Sequence, residues 1–483
     1  MNAPASMFGH TLLRVDSAYD SPLLSYAVNY AATIDRTDGG IAYAFKGIFG
    51  YYPGYYSILP YYEKVREYAG MDQRDLWEYR LNLTGDEVRR MTLHVLELRD
   101  IRSDYYFLDE NCSYDLLFLL EAARPTVALT DRHRGFFVSP IDTLRSVLAE
   151  GMSDNVVFRP AVARRIRHRA EDMDAAEIVL ARSLASGDTA PSAVADGART
   201  PAEKARVLDL ASEFTQYRFL KEEIPREAYR KRYLEILSTR SRLGEPPAES
   251  RPIAVPPPPE SGHLVSRASL SGGAREGRPF VEAAYRPAYH SLEDPAVGFN
   301  EGSQIVFSEV AARWYPRDGK FRLQGWDLID IVSLAPRDAL FRPVSWKVQT
   351  GLQTREFPDG VEALVYALNP GGGFAWKSSP LGLAWFLAET DLAVSGRYDR
   401  SFALALGGSA GIARQAFERW GAIAQVRYVY GVLGDTDAGR RFTGSLKIPF
   451  RLSRNQSLVL DGEHTEAPSV HADTVRLSWN AYF

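Results

Sequence analysis

The second half of the chain alternates between apolar and polar positions. In VSWKVQTGLQTR, Val344, Trp346, Val348 and Leu352 fall on one side of an extended backbone, with Ser345, Lys347, Gln349 and Gln353 on the other. RFTGSLKIPFRL sets Phe442, Leu446, Ile448, Phe450 and Leu452 against Thr443, Ser445, Lys447 and Arg451. SFALALGGSAGI contributes Phe402, Leu404, Leu406, Ala410 and Ile412 to one face, and VRLSWNAYF opposes Val475, Leu477, Trp479, Ala481 and Phe483 to Arg476, Ser478, Asn480 and Tyr482. A period of two marks strands. About a dozen such segments follow one another between Gly, Pro, Asp and Asn, each near the ~9–11 residues that a tilted strand needs to cross a bilayer. Soluble sheets alternate as well. Here the polar phase carries Lys, Arg and Gln while the apolar phase is aromatic and aliphatic, as expected with lipid outside and water inside. Residues 263–483 are therefore expected to form an antiparallel transmembrane β-barrel of about twelve strands. Trp346, Leu404, Phe450 and Trp479 are expected to face lipid, and Lys347, Lys447 and Arg451 the lumen. An arginine at mid-membrane on the lipid face should cost about 2–4 kcal/mol, and the same change on the lumen face little.

The pattern before residue 263 is mixed. SMFGHTLLRVD and SPLLSYAVNYAAT read as strands joined by a polar turn, GGIAYAFKGIFG as a third and DLWEYRLNLT as a fourth. GIFGYYPGYYSILPYYEK reads as a Tyr-rich loop punctuated by glycine. Thr84 with Glu87 makes a capping box that opens a helix carrying Val88, Met91, Leu93, Val95 and Leu98. A second helix starts near Asn111 or Cys112, carries Leu116, Leu117, Leu119 and Leu120, and is stopped by Pro125. The expected division is an α+β domain over 1–150, a charged helical connector over 151–244, a Pro-rich linker over 245–262, and the barrel. Arg164, Arg165, Arg167 and Arg169 in the connector read as a solvated helix face before they read as a lipid head-group site.

Composition changes this picture in a few places. A length of 483 residues fits two or three domains. The 57 Lys plus Arg against 61 Asp plus Glu leave a net charge of -4, which provides no field for gathering nucleic acid. No run of about 18 apolar residues offers a transmembrane helix, a test that a barrel escapes. The lone cysteine, Cys112, excludes an intrachain disulfide and a tetracysteine zinc site, and no metal or cofactor is implied. MNAPASMFGH shows no signal peptide. Because a barrel of this kind must be exported, the N-terminus given is expected to be trimmed or misplaced.

Candidate chemistry centres on Cys112, at the start of an apolar helix. Unpaired N–H groups and the helix dipole favour a thiolate there and offer donors to an oxyanion, although Asp109 and Glu110 oppose the negative charge. Four histidines precede the linker: His10, His94, His133 and His168. His94 lies inside a helix, and His133 and His168 sit among arginines. His10, after Gly9 in FGHTLLR, is the preferred base, and Asn29 in the adjoining strand AVNYAAT is placed to orient its imidazole. Asn111, Tyr30, Tyr51 and Tyr52 are expected on the substrate-binding side.

SMFGHTLLR, VNYAAT, KGIFGYYPGYYS, RDLWEYRLNLT and YFLDENCSYDLLFLLE together resemble the family labelled the Lnb N-terminal periplasmic domain, over about the first 150 residues. The order His, Asn, then Cys at a helix start is also similar to circularly permuted papain-like enzymes, among them lecithin:retinol acyltransferase and NlpC-type relatives, whose cysteine lies in a comparable Asn-Cys context. On that resemblance Cys112 matches the nucleophile, His10 the base and Asn29 the polar third member. Members of the periplasmic family usually carry further sequence before the FGH motif, so a first strand or lid is expected to be missing from the sequence given. The expectation is a periplasmic thiol hydrolase or acyltransferase anchored in outer-membrane lipid. Its substrate would be an amide, ester or thioester of the cell envelope, either a peptidoglycan peptide or a lipid or lipoprotein acyl group. The alternative is a non-catalytic channel or anchor with a partner-binding domain. Oligomeric state is not legible.

Overall fold

A computed structural model of the chain describes residues 8–16, 24–35, 38, 40–71, 73–133, 135, 137–246, 251–416, 419–437, 439–468 and 470–483. It divides into two compact units: His10–Pro256 with Ala339–Phe341, and Pro257–Asp338 with Arg342–Phe483 and the residues before His10.

In the first unit, four antiparallel strands pair in the order β1 (Leu13–Val15), β2 (Tyr26–Ala32), β3 (Tyr52–Pro60) and β5 (Ser103–Tyr105). A separate pair joins β4 (Leu76–Leu81) to β6 (Ser153–Arg159). The expected turn between the first two strands falls largely outside the described residues. Helix α1 (Gly85–Glu97) starts at the capping box read from the sequence: the Thr84 hydroxyl accepts from the Glu87 N–H, and the Glu87 carboxylate accepts from the Thr84 N–H. Such a cap is worth about 1 kcal/mol. Helix α2 (Cys112–Ala123) buries Leu116, Leu117, Leu119 and Leu120 in a core with Val28 of β2 and with Met91 and Val95 of α1. It ends at Arg124 (φ -126, ψ 85), because the residue before Pro125 is pushed out of the helical region.

Two local expectations are overturned. GGIAYAFKGIFG contains the helix Gly40–Ile48 rather than a strand. Its apolar residues at 41, 44, 45 and 48 also satisfy helical spacing, and short apolar runs read both ways. The Tyr-rich stretch is not a loop but supplies β3, which pairs with β2 on one side and β5 on the other.

The connector region folds as α4 (Val162–Ala170), α5 (Ala175–Ser186), α6 (Pro201–Leu220) and α7 (Arg226–Arg242), numbered after α3 (Pro140–Ala149). They share a core of Ile166, Leu184, Leu208, Leu210, Phe214 and Ile236. Arg164 pairs with Asp75 and Arg169 with Glu213, so these arginines act within the unit. Residues 251–258 have no regular secondary structure, and a 3-10 turn follows at Pro259–Ser261.

The second unit is a closed barrel of twelve antiparallel strands. They are β7 (Arg267–Arg275), β8 (Arg278–Arg286), β9 (Ser303–Tyr315), β10 (Lys320–Ser333), β11 (Ser345–Glu356), β12 (Glu362–Ser378), β13 (Gly382–Val394), β14 (Phe402–Ala416), β15 (Trp420–Gly434), β16 (Arg441–Ser453), β17 (Gln456–Ala467) and β18 (Val470–Tyr482). Closure comes from β18 pairing with β7, from Tyr482↔Arg267 to Thr474↔Arg275. Short segments Ala288–His290 and Pro336–Arg337 add to β9 and β12.

The polarity is that of a protein dissolved in lipid. Leu270, Leu406, Tyr430, Leu446, Leu477 and Trp479 are exposed outside, whereas Glu282, Arg313, Glu389, Asp391 and Asn480 are buried inside. Water would penalise the first set and lipid rewards it, since only a closed barrel or a helix satisfies its backbone in hydrocarbon. Leu404 shares the outer face of Leu406, Phe450 stacks on the exposed Trp420, and Trp346 lies opposite in phase to the buried Ser345. Lys347 and Lys447 point inward to Glu389 and Glu293, and Arg451 is in phase with Lys447.

Candidate functional site

The first turn of α2 is set by Asn111. Its Oδ1 accepts from the N–H groups of Ser113 (3.0 Å) and Tyr114 (3.3 Å), and its Nδ2 donates to the carbonyls of Val138 (2.7 Å) and Phe107 (3.3 Å). The amide is buried and fully engaged. That corrects its assignment to substrate binding: Asn111 caps the helix and fixes Cys112 at the first helical position. It also takes two of the N–H groups that the sequence offered to an oxyanion.

His10 stands just before β1, and Asn29 is central in β2. The Asn29 Oδ1 accepts from His10 Nε2 at 2.6 Å. This leaves Nδ1 for Cys112, with which the His10 ring is hydrogen-bonded. The three residues named from the sequence are thus brought together in the order Asn29, His10, Cys112. The other three histidines before the linker lie elsewhere: His94 pairs with Glu97, His133 meets Ser146 at 2.9 Å, and His168 pairs with Glu171.

Two further groups reach the sulfur, the Thr11 backbone N–H and the Tyr105 hydroxyl on the edge strand β5. Burial alone would raise the Cys112 pKa. The charge and hydrogen bond of His10, with the donors from Thr11 and Tyr105, outweigh it, and the net shift is downward. For His10, burial disfavours the imidazolium, but the Cys112 charge, its hydrogen bond and that of Asn29 prevail over burial and over the positive Lys64, so its pKa is raised. Both shifts favour a thiolate–imidazolium pair.

Around the pair the domain is acidic. Burial, reinforced by Glu110, lifts Asp115 to about 7. Burial also raises Asp109, and burial with Asp109 and Asp104 raises Glu110. With a pKa of about 7, Asp115 opposes the thiolate less than its formal charge suggests.

The tyrosines divide differently from expectation. Tyr30 is buried, with its hydroxyl 2.5 Å from Ser103 Oγ and its ring near Tyr56 and Tyr105. A Cβ on Gly54 would lie 2.1 Å from that hydroxyl, which explains glycine at this point of β3. Tyr52 is likewise buried and donates to Asp38 at 2.6 Å. Both belong to the frame of the site, not its surface. Tyr51, by contrast, is 66% exposed. Tyr105, Thr11 and Asp115 escaped the sequence reading. No local motif marks the first two, and Asp115 is signalled only by its position one helical turn after Cys112.

Among the described residues one group has metal-ligand geometry, His263, His290 and Asp294, with ligand atoms within 4.8 Å of one another. Asp294 is already neutralised by Arg286 (2.7 Å) and Arg267 (3.0 Å), and the two imidazoles hydrogen-bond each other at 3.0 Å. This donor set fits an ion-pair network better than a cation.

Residues 1–150 match the family described as the Lnb N-terminal periplasmic domain. Residues 156–252 and 256–482 match two domains of unknown function, DUF7842 and DUF7840. No curated protein matches the chain. Among solved structures, the barrel aligns with a KdgM porin in complex with disordered oligogalacturonate (9% identity, 45% of this chain, 99% of that one, TM-score 0.27). It also aligns with the NanC porin (8%, 45% and 99%, TM-score 0.28). A third match is Omp33 of Acinetobacter baumannii (9%, 46% and 100%, TM-score 0.25). Similarity this low adds no weight, and the barrel rests on its own closure and polarity. The N-terminal 150 residues are a member of the Lnb N-terminal periplasmic domain family, carried by an outer-membrane β-barrel protein with that domain in the periplasm.

Proposed function

We propose that the periplasmic domain is a papain-like thiol hydrolase or acyltransferase acting on an amide, ester or thioester of the cell envelope. The observation that carries this reading is the relay Asn29–His10–Cys112, closed by a 2.6 Å hydrogen bond at one end and a sulfur–imidazole hydrogen bond at the other. The Cys112 thiolate attacks the carbonyl carbon and the carbonyl π electrons move to oxygen. The oxyanion is met by the Cys112 backbone N–H and the Tyr105 hydroxyl. Collapse expels the leaving group, which takes its proton from the His10 imidazolium, and leaves a thioester on Cys112. Water or an amine, deprotonated by the now neutral His10, attacks that thioester and regenerates the thiolate. Asn29 holds the ring through Nε2 so that Nδ1 faces the sulfur. Membrane anchorage favours a peptidoglycan peptide or a lipid or lipoprotein acyl group as the substrate.

The rival, a non-catalytic module, draws on one fact: Cys112 is only 4% exposed. The pH dependence of its alkylation by iodoacetamide separates the two. A paired thiolate reacts well below the pH at which an ordinary thiol ionises, and Asn29→Ala moves the His10 titration to lower pH. An inert Cys112 at pH 7, with no change in Asn29→Ala, rejects the catalytic reading.

A further inference from the structure

Eight strands leave a lumen filled by side chains, whereas sixteen to eighteen leave an aqueous channel. At twelve, the contents of the lumen decide. Here both the near mouth, where β7 begins and β18 ends, and the interior are occupied.

The chain between His290 and Ser303 turns inward at that mouth. Glu293 pairs with Lys447 on β16 (2.5 Å) and Arg267 on β7 (2.8 Å). Asp294 pairs with Arg286 on β8 and with Arg267, and accepts from the Tyr482 hydroxyl on β18 at 2.8 Å. Phe299 stacks on His290 (4.0 Å between ring centres) and on His263 (4.5 Å) behind them. These ties fall on one arc of the wall, and Leu292 of the same segment packs against Ala375, Leu383 and Leu387 on β12 and β13 opposite it.

Farther in, ion pairs line the inner face, most of them bridging over one intervening strand and Arg275–Glu356 over three. Arg427 on β15 binds Glu389 (2.8 Å) and Asp391 (3.0 Å) on β13, and Arg355 on β11 binds Asp391 at 3.0 Å. Arg476 on β18 reaches Glu282 on β8, which also holds Arg313. At the far end Arg275 on β7 reaches Glu356 on β11 at 2.8 Å. None of Arg267, Glu282, Arg286, Arg313, Glu389 and Asp391 is more than 6% exposed. Charges confined in this way hold their partners firmly, because separating a buried pair strands a charge.

From this we infer that the barrel is a sealed anchor and not a solute pore: residues 291–302 plug its near mouth and the paired charges of the inner face fill the rest. The inference stands whether or not the periplasmic domain is an enzyme.

The single native cysteine makes the test direct. In full-length protein carrying Cys112→Ser and reconstituted in liposomes, Ser271→Cys and Ser409→Cys place thiols inside the lumen, where both serines are buried. Ser379→Cys places one in an exposed turn. A charged, membrane-impermeant methanethiosulfonate should label the turn quickly and both lumen thiols at least ~100-fold more slowly, with full labelling after denaturation. Lumen labelling within about tenfold of the turn overturns the proposal. The unmodified protein in a planar bilayer gives the second measurement, independent of any variant. Absence of stepwise conductance alongside protected lumen thiols is expected, and stable open-channel steps overturn it.

Discussion

The barrel and the periplasmic unit both bury polar groups, but for opposite reasons. In the barrel the environment is apolar outside, so charged side chains gather on the inner face, where Glu389, Asp391, Arg355 and Arg427 neutralise one another. In the periplasmic unit leucines of α2 fill the interior, and at the start of that helix the buried Asn29, Asn111 and Cys112 meet the half-buried His10. The first arrangement distributes charge to hold a wall together. The second concentrates a few groups where they perturb each other's protonation. Paired charge therefore signals architecture in one region and chemistry in the other, and substitutions should separate the two roles.

The largest effect is expected in the relay. Cys112→Ser should lower turnover of any envelope acyl substrate by at least ~10³-fold while leaving the fold nearly intact, since a hydroxyl replaces a thiol of similar size. His94, paired with Glu97 on the surface of α1, should be replaceable without loss. Retained activity in the serine variant, with activity lost in a His94 variant, would move the chemistry away from Cys112 altogether.

Next comes the lumen. The sequence suggested that changes there cost little, which holds for a water-filled interior. The packed interior reverses that expectation. Glu389→Ala strands Lys347, leaves Arg427 with Asp391 alone, and should destabilise the barrel by about 3–5 kcal/mol, read as a fall in its denaturant midpoint. A cost below ~1 kcal/mol would mean that water already solvates those cations. On the outer face, Leu406→Arg in mid-β14 should cost about 2–4 kcal/mol by the same measurement.

How much of this was legible follows the range of the interactions. The barrel's faces could be read because alternation is local: Val475, Leu477 and Trp479 announce their side of the wall within five residues. The capping box at Thr84 and the stop before Pro125 are equally local. Gly40–Ile48 differs from its reading because a short apolar run satisfies either period, and the Tyr-rich stretch because Gly50, Pro53 and Gly54 punctuate it as they would a loop. At the site, His10, Asn29 and Cys112 could be named from residue type and chain order. Tyr105 and the Thr11 N–H could not, since only the folded chain brings them to the sulfur. Nor does any sequence pattern show that acid and base in the lumen meet across strands.

The smallest effect tests the acidic surroundings of the relay. Asp115 sits one turn after Cys112, and its Oδ2 is buried without a hydrogen-bond partner. Burial and Glu110 lift its folded pKa to about 7 from an ordinary 3.8. A carboxyl whose pKa is raised on folding binds its proton more tightly in the native state. Its contribution is thus most favourable below about pH 4 and is lost as pH rises through 7. Asp115→Asn removes the titration while keeping shape. Relative to the native chain, the variant should be indistinguishable near pH 4 and more stable by about 1–3 kcal/mol at pH 8, with most of the gain appearing between pH 4 and 7. Hydrogen exchange of the α2 amides in the full-length protein, compared between the two chains at each pH, isolates this group from the other carboxyls. A difference that is constant with pH would show that Asp115 remains charged in the fold, solvated well enough to oppose the Cys112 thiolate through the whole neutral range.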